Sequence, residues 1–196
     1  MIGTGDQPLH DDQLIRAAQA GDEEAFRMLM ERYRNRAFGV AVGIVGDTDD
    51  ALDVVQESFV KVYYSLKDFR FGSNFYTWFY RLLVNQAIDR WRKSSRSPSV
   101  PLDESRLSED ESPPETGIYP KTPEDLVQNL ELSAALSRAI GALPPYHRAV
   151  IVLREVDGLP YDEIAAVLKC SVGTVMSRLH YARAKLRDAL KGFREG

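Results

Sequence analysis

The chain has 196 residues, of which 44% are hydrophobic and 28% are charged, and its net charge is -4. This composition is typical of a globular protein of one or two domains, not of a disordered or a membrane protein. No apolar run approaches the ~18 residues of a membrane span, and the first residues lack the features of a signal peptide, so we expect a cytoplasmic protein with no stable membrane insertion of its own.

Cysteine and histidine are sparse. Cys170 is the only cysteine, and the three histidines, His10, His147 and His180, are widely separated. A disulfide within the chain and a multi-cysteine zinc site are therefore excluded, and an intracellular reducing compartment fits this usage. We expect neither a metal site nor a cofactor.

Apolar residues recur with helical spacing along most of the chain, and few runs alternate with period two. The β-rich run AVIVL stands inside a helical frame, so we predict an all-α fold. The segment 94–124 is rich in Ser and Pro, with three basic and seven acidic residues, and is predicted to be a flexible acidic linker. Two small helical domains would then occupy residues 1–93 and 125–196, the second containing a helix-turn-helix.

The C-terminal helix pair has the spacing of a helix-turn-helix, because YDEIAAVLK is followed by a three-residue turn and a second helix from Ser171. Residues 169–196 carry seven basic and two acidic side chains, a net of +5, which favours binding of phosphate. A plain solvated helix pair is the alternative. At about 100° per residue, one side of the second helix is apolar and is predicted to be core, namely Val172, Val175, Leu179, Ala182, Leu186 and Leu190. The opposite side carries Gly173, Ser177, His180 and Tyr181, flanked by Thr174, Met176 and Arg183.

An aromatic cluster places five aromatic residues in the six positions 75–80, just before a basic helix end. On a helical wheel most of these rings lie on a broad apolar arc and are predicted to be core. Trp78 projects onto the polar arc, with Arg81, Asn85, Asp89 and Arg92. An aromatic ring beside arginine and amide groups suits unstacked bases. The alternative is that Trp78 packs under a neighbouring loop.

The preceding helical segment, 47–66, has apolar residues outside its core arc. We predict that Leu52, Val55, Phe59, Val62 and Leu66 form the core arc. Val60 and Tyr64 then point outward among Asp53, Gln56, Glu57 and Lys61, a mixture that suggests a protein interface. A solvated helix with one stray valine is the alternative.

Three segments, in this order, resemble bacterial sigma factors of the extracytoplasmic-function class. They are DVVQESFVKVYYSLKDFR, FYTWFYRLLVNQAIDRWRK and, after the acidic linker, LPPYHRAVIVLREVDGLPYDEIAAVLKCSVGTVMSRLHYARAKL. The resemblance runs from about Leu14 to Leu190, so it is more specific than a lone helix-turn-helix. It implies a protein that binds core RNA polymerase and promoter DNA to direct transcription initiation, and that a cognate anti-sigma factor holds inactive. The polymerase would then carry out the catalysis, and this chain would not be an enzyme.

The resemblance also implies roles for particular residues. The first domain would bind polymerase and melt the −10 element, and the second would read the −35 element as duplex. The residues implied to face polymerase are Asp53, Gln56, Glu57 and Val60. Those implied to contact the melted −10 strand are Phe69, Arg70, Ser73, Asn74, Trp78, Arg81, Asn85, Asp89 and Arg92. Those implied to contact the −35 duplex are Ser171, Gly173, Thr174, Ser177, Arg178, His180, Tyr181 and Arg183.

The chain departs from the family pattern at a few positions. Lys169 stands where many relatives have a turn glycine, so we expect a lysine in left-handed backbone at a cost of about 1 kcal/mol. Met176 and Tyr181 stand where arginine is frequent, which affects the −35 sequence that is preferred. Pro160 replaces a capping serine at a helix start, where proline is tolerated.

Two other classes of function are weighed against the sigma factor. A two-domain transcriptional regulator, with a sensing domain before the helix-turn-helix, would not need the face formed by Trp78, Asn85 and Arg92, and it would bind duplex DNA without polymerase. An enzyme is disfavoured because the carboxylates of GDTDDALD sit at a helix start, where the helix dipole favours them, and no partner residues complete a recognised catalytic motif.

Overall fold

The computed structural model describes residues 10–72, 74–94 and 123–193, with side chains from residue 131 onward in the last range. Within these ranges the chain is helical and contains no β-strand, which confirms the all-α prediction. Most of the predicted linker, 95–122, lies outside the described residues. The helices are α1 Asp11–Gln19, α2 Glu23–Val45, α3 Thr48–Ser65, α4 Phe75–Ser94, α5 Pro123–Gly141, α6 Pro145–Glu155, α7 Tyr161–Leu168 and α8 Val172–Ala189, with 3-10 turns at Leu66–Asp68 and Lys191–Phe193.

Aspartates cap the helices around the acidic segment GDTDDALD. The Asp47 carboxylate accepts a hydrogen bond of 2.9 Å from the backbone N–H of Asp50, and so caps α3. Asp22 caps α2 in the same way through the N–H of Ala25, at 3.0 Å. Gly46 ends α2 with a φ of 85°, a left-handed conformation that glycine adopts without strain. These carboxylates therefore have a structural role, as expected for acids at a helix start.

Helices α1 to α4 enclose the aromatic cluster. Tyr33 of α2 contacts Phe75, Tyr76 and Phe79 of α4, and Phe59 of α3 stacks on Phe79 with ring centroids 5.6 Å apart. The prediction that most of the cluster is core is confirmed. The prediction for Leu52 is wrong, because its side chain is 48% exposed and Ala51, Val54, Val55, Ser58 and Val62 form the buried face of α3.

Helix α6 contains the run AVIVL and is buried on all sides, from Arg148 to Leu153. The reason is its position, since α8 packs on one side of it and α2 on the other. A helix that is apolar all round requires such surroundings. The β-rich composition of this run therefore reflects complete burial within a helix.

The two groups of helices pack against each other, which the sequence did not predict. Helix α6 contacts α2 and α4, and α7 contacts α4. The approach is tight at Gly43 of α2, where an added Cβ atom would lie 2.8 Å from the side chain of Val152. Helices 1–4 and 5–8 thus share one continuous core. No helix in the described ranges is long and apolar enough to cross a membrane.

Candidate protein- and nucleic-acid-binding surfaces

The first surface is the α3 outer face, formed by Asp53, Gln56, Glu57 and Val60. All four side chains are exposed, and that of Val60 is 55% exposed. Tyr64, one turn further on, is 70% exposed. The structure therefore presents apolar groups among carboxylates and an amide, the combination that the sequence suggested for a protein interface.

Polar groups of α4 hold the carboxylates of the α3 outer face. Arg90 forms ion pairs with Asp53 and, at 3.1 Å, with Asp50. Gln86 donates a hydrogen bond to Glu57 and accepts one from Lys61. Fixed carboxylates lose less side-chain entropy when a partner binds them.

The loop between α3 and α4 is anchored to α1. The side-chain amide of Gln19 donates two hydrogen bonds of 2.9 Å, to the carbonyl oxygens of Leu66 and Phe69. Phe69 is buried and Arg70 is exposed. Asn74 accepts a hydrogen bond of 3.1 Å from the N–H of Tyr76 and so helps to start α4. Ser73, also predicted to contact the −10 strand, lies outside the described residues.

Phe71 holds this loop in an unusual conformation. Its φ is 56°, in the left-handed region that a bulky side chain rarely adopts. The guanidinium of Arg16 lies 4.3 Å from the centre of its ring, and Phe69 packs against the ring edge-on. Strain of this kind persists only when the surroundings impose it, and it is concentrated at functional segments.

Trp78 is half-buried on the loop side of α4. Its ring centroid lies 5.3 Å from that of Phe69 and 5.7 Å from that of Phe75. It therefore packs on the neighbouring loop, as the alternative interpretation expected, and keeps part of its surface accessible. Its role in binding bases stays a prediction.

The polar arc of α4 is only partly free. Asn85 and Asp89 are exposed. Arg81 donates a hydrogen bond of 2.9 Å to the carbonyl oxygen of Ala166 in α7. Arg92 lies 3.7 Å from the Asp89 carboxylate, and its guanidinium lies 5.7 Å from the centre of the Tyr146 ring in α6. Of the predicted −10 contacts, Arg81 is thus hydrogen-bonded to the C-terminal helices and Arg92 lies near one of their rings.

The N-terminus of α8 is capped and open to solvent. The Ser171 hydroxyl accepts a hydrogen bond of 3.1 Å from the N–H of Thr174, which confirms the predicted cap. A Cβ atom added to Gly173 would meet only the Ser171 hydroxyl oxygen, at 3.8 Å. The described part of the protein therefore does not require glycine there.

The exposed face of α8 continues with Ser177 and His180. The Ser177 hydroxyl donates to the carbonyl oxygen of Thr174 at 3.0 Å, and His180 is exposed. Tyr181 is 42% exposed, and its ring lies 4.6 Å from that of His147. The assignment of Val172 to the core is wrong, because this residue is 42% exposed. The buried face of α8 begins only one turn later, at Val175.

Two arginines of α8, Arg178 and Arg183, have partners within the chain. Arg183 donates from Nη2 and Nε to the Glu155 carboxylate, at 2.7 and 3.2 Å. The guanidinium of Arg178 lies 5.0 Å from the centre of the Tyr146 ring. Burial and the charge of Arg178 lower the pKa of His147, so this imidazole is neutral at neutral pH.

Some residues of these surfaces escaped the sequence analysis. Asp157, after α6, has a side chain only 3% exposed and pairs with Arg36 of α2 at 2.9 Å. It also accepts a hydrogen bond from the Tyr76 hydroxyl. Burial, together with that bond, raises the pKa of Tyr76, so the hydroxyl stays protonated and donates. Arg148, immediately before the apolar run AVIVL, is a signal in the sequence that could have indicated a buried polar contact here.

The chain is similar to known proteins over nearly its whole length. Residues 29–97 match the family Sigma-70 region 2, and residues 133–186 match Sigma-70, region 4. The ECF RNA polymerase sigma-E factor of Haemophilus influenzae is 37% identical, covering 94% of this chain and 97% of its own. The sigma-E factor of Escherichia coli is 40% identical, covering 94% and 96%. Among solved structures, CnrH in complex with the cytosolic domain of CnrY is 29% identical, with a TM-score of 0.66 over 93% of this chain and 97% of CnrH.

No group of metal-ligating side chains occurs among the described residues.

Proposed function

The chain belongs to the extracytoplasmic-function class of RNA polymerase sigma factors, which direct promoter-specific transcription initiation, and we propose how its residues divide that work. Residues 1–93 bind core polymerase and the melted −10 strand. Residues 125–196 read the −35 duplex, and residues 94–124 connect the two. The chain itself catalyses nothing and acts in the cytoplasm, where the polymerase supplies the chemistry.

Polymerase binding is assigned to the α3 outer face. Val60 supports this assignment, because its side chain is 55% exposed among polar neighbours. Covering this apolar surface with a partner would remove it from water and lower the free energy. The carboxylates of Asp53 and Glu57 are already held by Arg90 and Gln86. The face is therefore prepared for a complementary, basic partner surface.

Capture of the −10 strand is assigned to the loop after α3 and to the first turns of α4. The strained Phe71, the exposed Arg70 and the half-buried Trp78 lie together there. A flipped base needs an aromatic face and short polar groups around its edge. Asn74 supplies one such group, and Ser73 is assigned to the same contact from sequence alone.

Recognition of the −35 duplex is assigned to the exposed face of α8. Free backbone N–H groups at the capped N-terminus of a helix bind phosphate, and the open space at Gly173 allows the DNA backbone to approach. Gly173 is the single observation that carries this assignment, because nothing within the described protein explains a glycine at that position. Ser177 and His180 then face the bases.

A protein partner that controls the chain is part of the proposal. CnrH, the structural relative, is bound by the cytosolic domain of CnrY. We assign to this chain a cognate anti-sigma factor of the same kind.

The test is run-off transcription with core polymerase, supplied with and without the purified chain, on a library of genomic fragments. We expect transcripts from a small set of fragments only when the chain is present. The chain alone should bind none of them specifically. Specific duplex binding without polymerase would instead support the two-domain regulator.

A further inference from the structure

Helix α1 holds the loop between α3 and α4, here called the −10 loop, although none of the promoter contacts assigned above lies on α1. The helix also precedes residues 29–97, which match Sigma-70 region 2. We propose that Gln19 and Arg16 of α1 are positioning residues for the −10 loop, and that they set its preference for the base that it captures. The inference rests on the proposed function, because it adds two residues to the same −10 site.

The Gln19 amide joins both ends of the turn that opens the −10 loop. Its Nε2 donates hydrogen bonds of 2.9 Å to the carbonyl oxygens of Leu66 and Phe69. Leu66 begins the 3-10 turn after α3, and Phe69 directly follows that turn. Both hydrogens of the amide are thereby used, and an apolar side chain of the same length cannot replace them. The direction in which the chain leaves α3 therefore depends on Gln19.

The position of Phe69 in turn decides that of Trp78. The Phe69 side chain is buried, and its ring centroid lies 5.8 Å from that of Phe75 and 5.3 Å from that of Trp78. Closely packed rings cannot shift one at a time, because the interior has no free space to receive them. The hydrogen bond from Gln19 to the Phe69 carbonyl oxygen thus also fixes the support of the half-buried Trp78 ring.

Arg16 acts on the −10 loop through the ring of Phe71. Its guanidinium lies 4.3 Å from the ring centre, and the φ of Phe71 is 56°. A bulky residue keeps such backbone only when its surroundings favour it. A cation over an aromatic face supplies that kind of attraction. The Phe71 ring also packs edge-on against Phe69, so Gln19 and Arg16 hold adjoining parts of one loop.

Helix α1 can hold the loop because it is itself fixed to α2. Leu14 and Ile15 are fully buried. The Asp11 carboxylate accepts a hydrogen bond from the Tyr33 hydroxyl and forms an ion pair with Arg32. Tyr33 belongs to the aromatic core, so the support reaches the centre of the domain. A binding loop needs such a rigid support if it is to keep one geometry.

A loop held in one conformation discriminates better between bases. A strand with the captured base gains the contacts of the loop only while the loop is correctly shaped, so its affinity scales with the population of that conformation. A strand with another base does not make these contacts, and its affinity does not depend on that population. Loosening the loop therefore lowers the base preference and does not weaken all strands alike.

The test uses the full chain bound to core polymerase and fork templates taken from a promoter found by run-off transcription. The −10 strand of each template is unpaired and carries one of the bases at the position of strongest preference. Gln19→Met keeps the length of the side chain and removes both donors. We expect the base preference to fall by roughly fivefold, because two hydrogen bonds that hold the loop are lost. Polymerase binding, measured by fluorescence anisotropy of the labelled chain, should be unchanged.

Gln13→Met is the matched control on the same helix. Gln13 is exposed, and its side chain accepts a hydrogen bond of 2.9 Å from the N–H of His10, at the other end of α1. This variant should keep the wild-type base preference. An unchanged preference in Gln19→Met, or an equal loss of affinity on all templates, would overturn the positioning role of Gln19.

Arg16 is tested through Phe71 by a double-mutant cycle. Arg16→Met should lower the base preference by roughly threefold, because the cation over the ring is lost. In the Phe71→Leu background, which lacks the ring, Arg16→Met should have no further effect on the preference. Arg34→Met, at an exposed position of α2, is the control and should behave as the wild type. Because Arg16 is exposed, its replacement tests the loop without disturbing the core.

The remaining outcomes separate this inference from the proposed function. An equal loss on all templates in Arg16→Met would identify a phosphate contact and overturn its positioning role. Independent effects of Arg16→Met and Phe71→Leu would do the same. A wild-type chain that shows no base preference in the −10 strand would overturn the assignment of the loop itself, and this inference with it. A preference that is present in the wild type and unchanged in both α1 variants would overturn the inference alone.

Discussion

Arg148, at the start of α6, donates a hydrogen bond of 2.7 Å from Nη1 to the carbonyl oxygen of Ile44, in the last turn of α2. Carbonyl groups in the last turn of a helix have no partner within the helix. Arg148 also donates to Gly141, the last residue of α5, and its guanidinium lies 5.1 Å from the centre of the Trp91 ring. One buried arginine therefore completes two helix ends and joins the segments that match regions 2 and 4.

The α3 outer face gives the first prediction. Glu57→Lys combined with Val60→Asp should weaken binding to core polymerase by at least about tenfold, because both changes oppose a complementary interface. Affinity would be measured by fluorescence anisotropy of the labelled chain, and helicity by circular dichroism. Glu31→Lys, an exposed charge reversal on α2, is the control and should bind normally. Unchanged affinity of the double variant would exclude this face from the interface.

Trp78 gives the second prediction. Trp78→Ala should leave polymerase binding intact and remove the permanganate reactivity of promoter thymines, since stacking contributes ~1–3 kcal/mol per base. A pre-melted template should restore transcription. Trp78→Leu, which keeps apolar contact with Phe69 and Phe75, is the control for packing and should show the same defect. Normal melting by Trp78→Leu would show that the ring acts only by filling space.

The exposed face of α8 gives the third prediction. In the polymerase complex, Ser177→Ala and His180→Ala should each cost ~1–3 kcal/mol on the preferred −35 element and relax the preference at one or two positions. Arg187→Ala should weaken all sequences alike and reduce the slope of log K against log salt by about one. Arg187 is chosen because Arg183 is already bound to Glu155. The measurement is binding to single-base variants at several salt concentrations. An unchanged base preference in both Ser177→Ala and His180→Ala would mean that α8 reads sequence elsewhere.

Lys169 gives the fourth prediction. Its φ is 50° at the end of α7, which confirms the left-handed backbone expected from the sequence. Lys169→Gly should raise the free energy of unfolding by about 1 kcal/mol, because glycine adopts this conformation without steric strain. Urea unfolding measures the change, with Lys169→Ala as the control that removes the side chain and keeps the strain. If Lys169→Ala raised the free energy of unfolding as much as Lys169→Gly, the effect would come from removal of the lysine charge and not from relief of backbone strain.

His147 gives the fifth prediction. Burial and Arg178 lower the pKa of this imidazole in the folded chain, whereas the unfolded chain has the ordinary value of about 6.5. Protonation therefore favours unfolding, so the contribution of His147 is fully present above about pH 6.5 and is lost as the pH falls toward the lower folded pKa. His147→Gln should lose less stability than the wild type between about pH 7.5 and 5.5, measured as the change in Tm. His180→Gln, at an exposed position, should follow the wild type.

The sequence predicted the elements and their outer faces well, because both depend on local periodicity. The wheel of α4 separated buried rings from Trp78, and the wheel of α3 placed Val60 and Tyr64 outside. Its errors, Leu52 and Val172, lie at the edge of an apolar arc, where the position of the neighbouring helix decides burial. Lys169 and the Ser171 cap were predictable for the same local reason.

The sequence by itself determined that the chain is helical, which helices carry apolar and polar faces, and that it resembles a sigma factor, since these depend on residues close together in the chain. Only the tertiary structure decided that α6 fits between α2 and α8, that the Asp157 side chain is buried against Arg36 and Tyr76, and that Arg81 and Arg92 contact the C-terminal helices. The contacts between the first four helices and the last four join residues more than 50 positions apart. Their existence depends on how whole helices pack, and neither the spacing nor the type of a single residue specifies that packing.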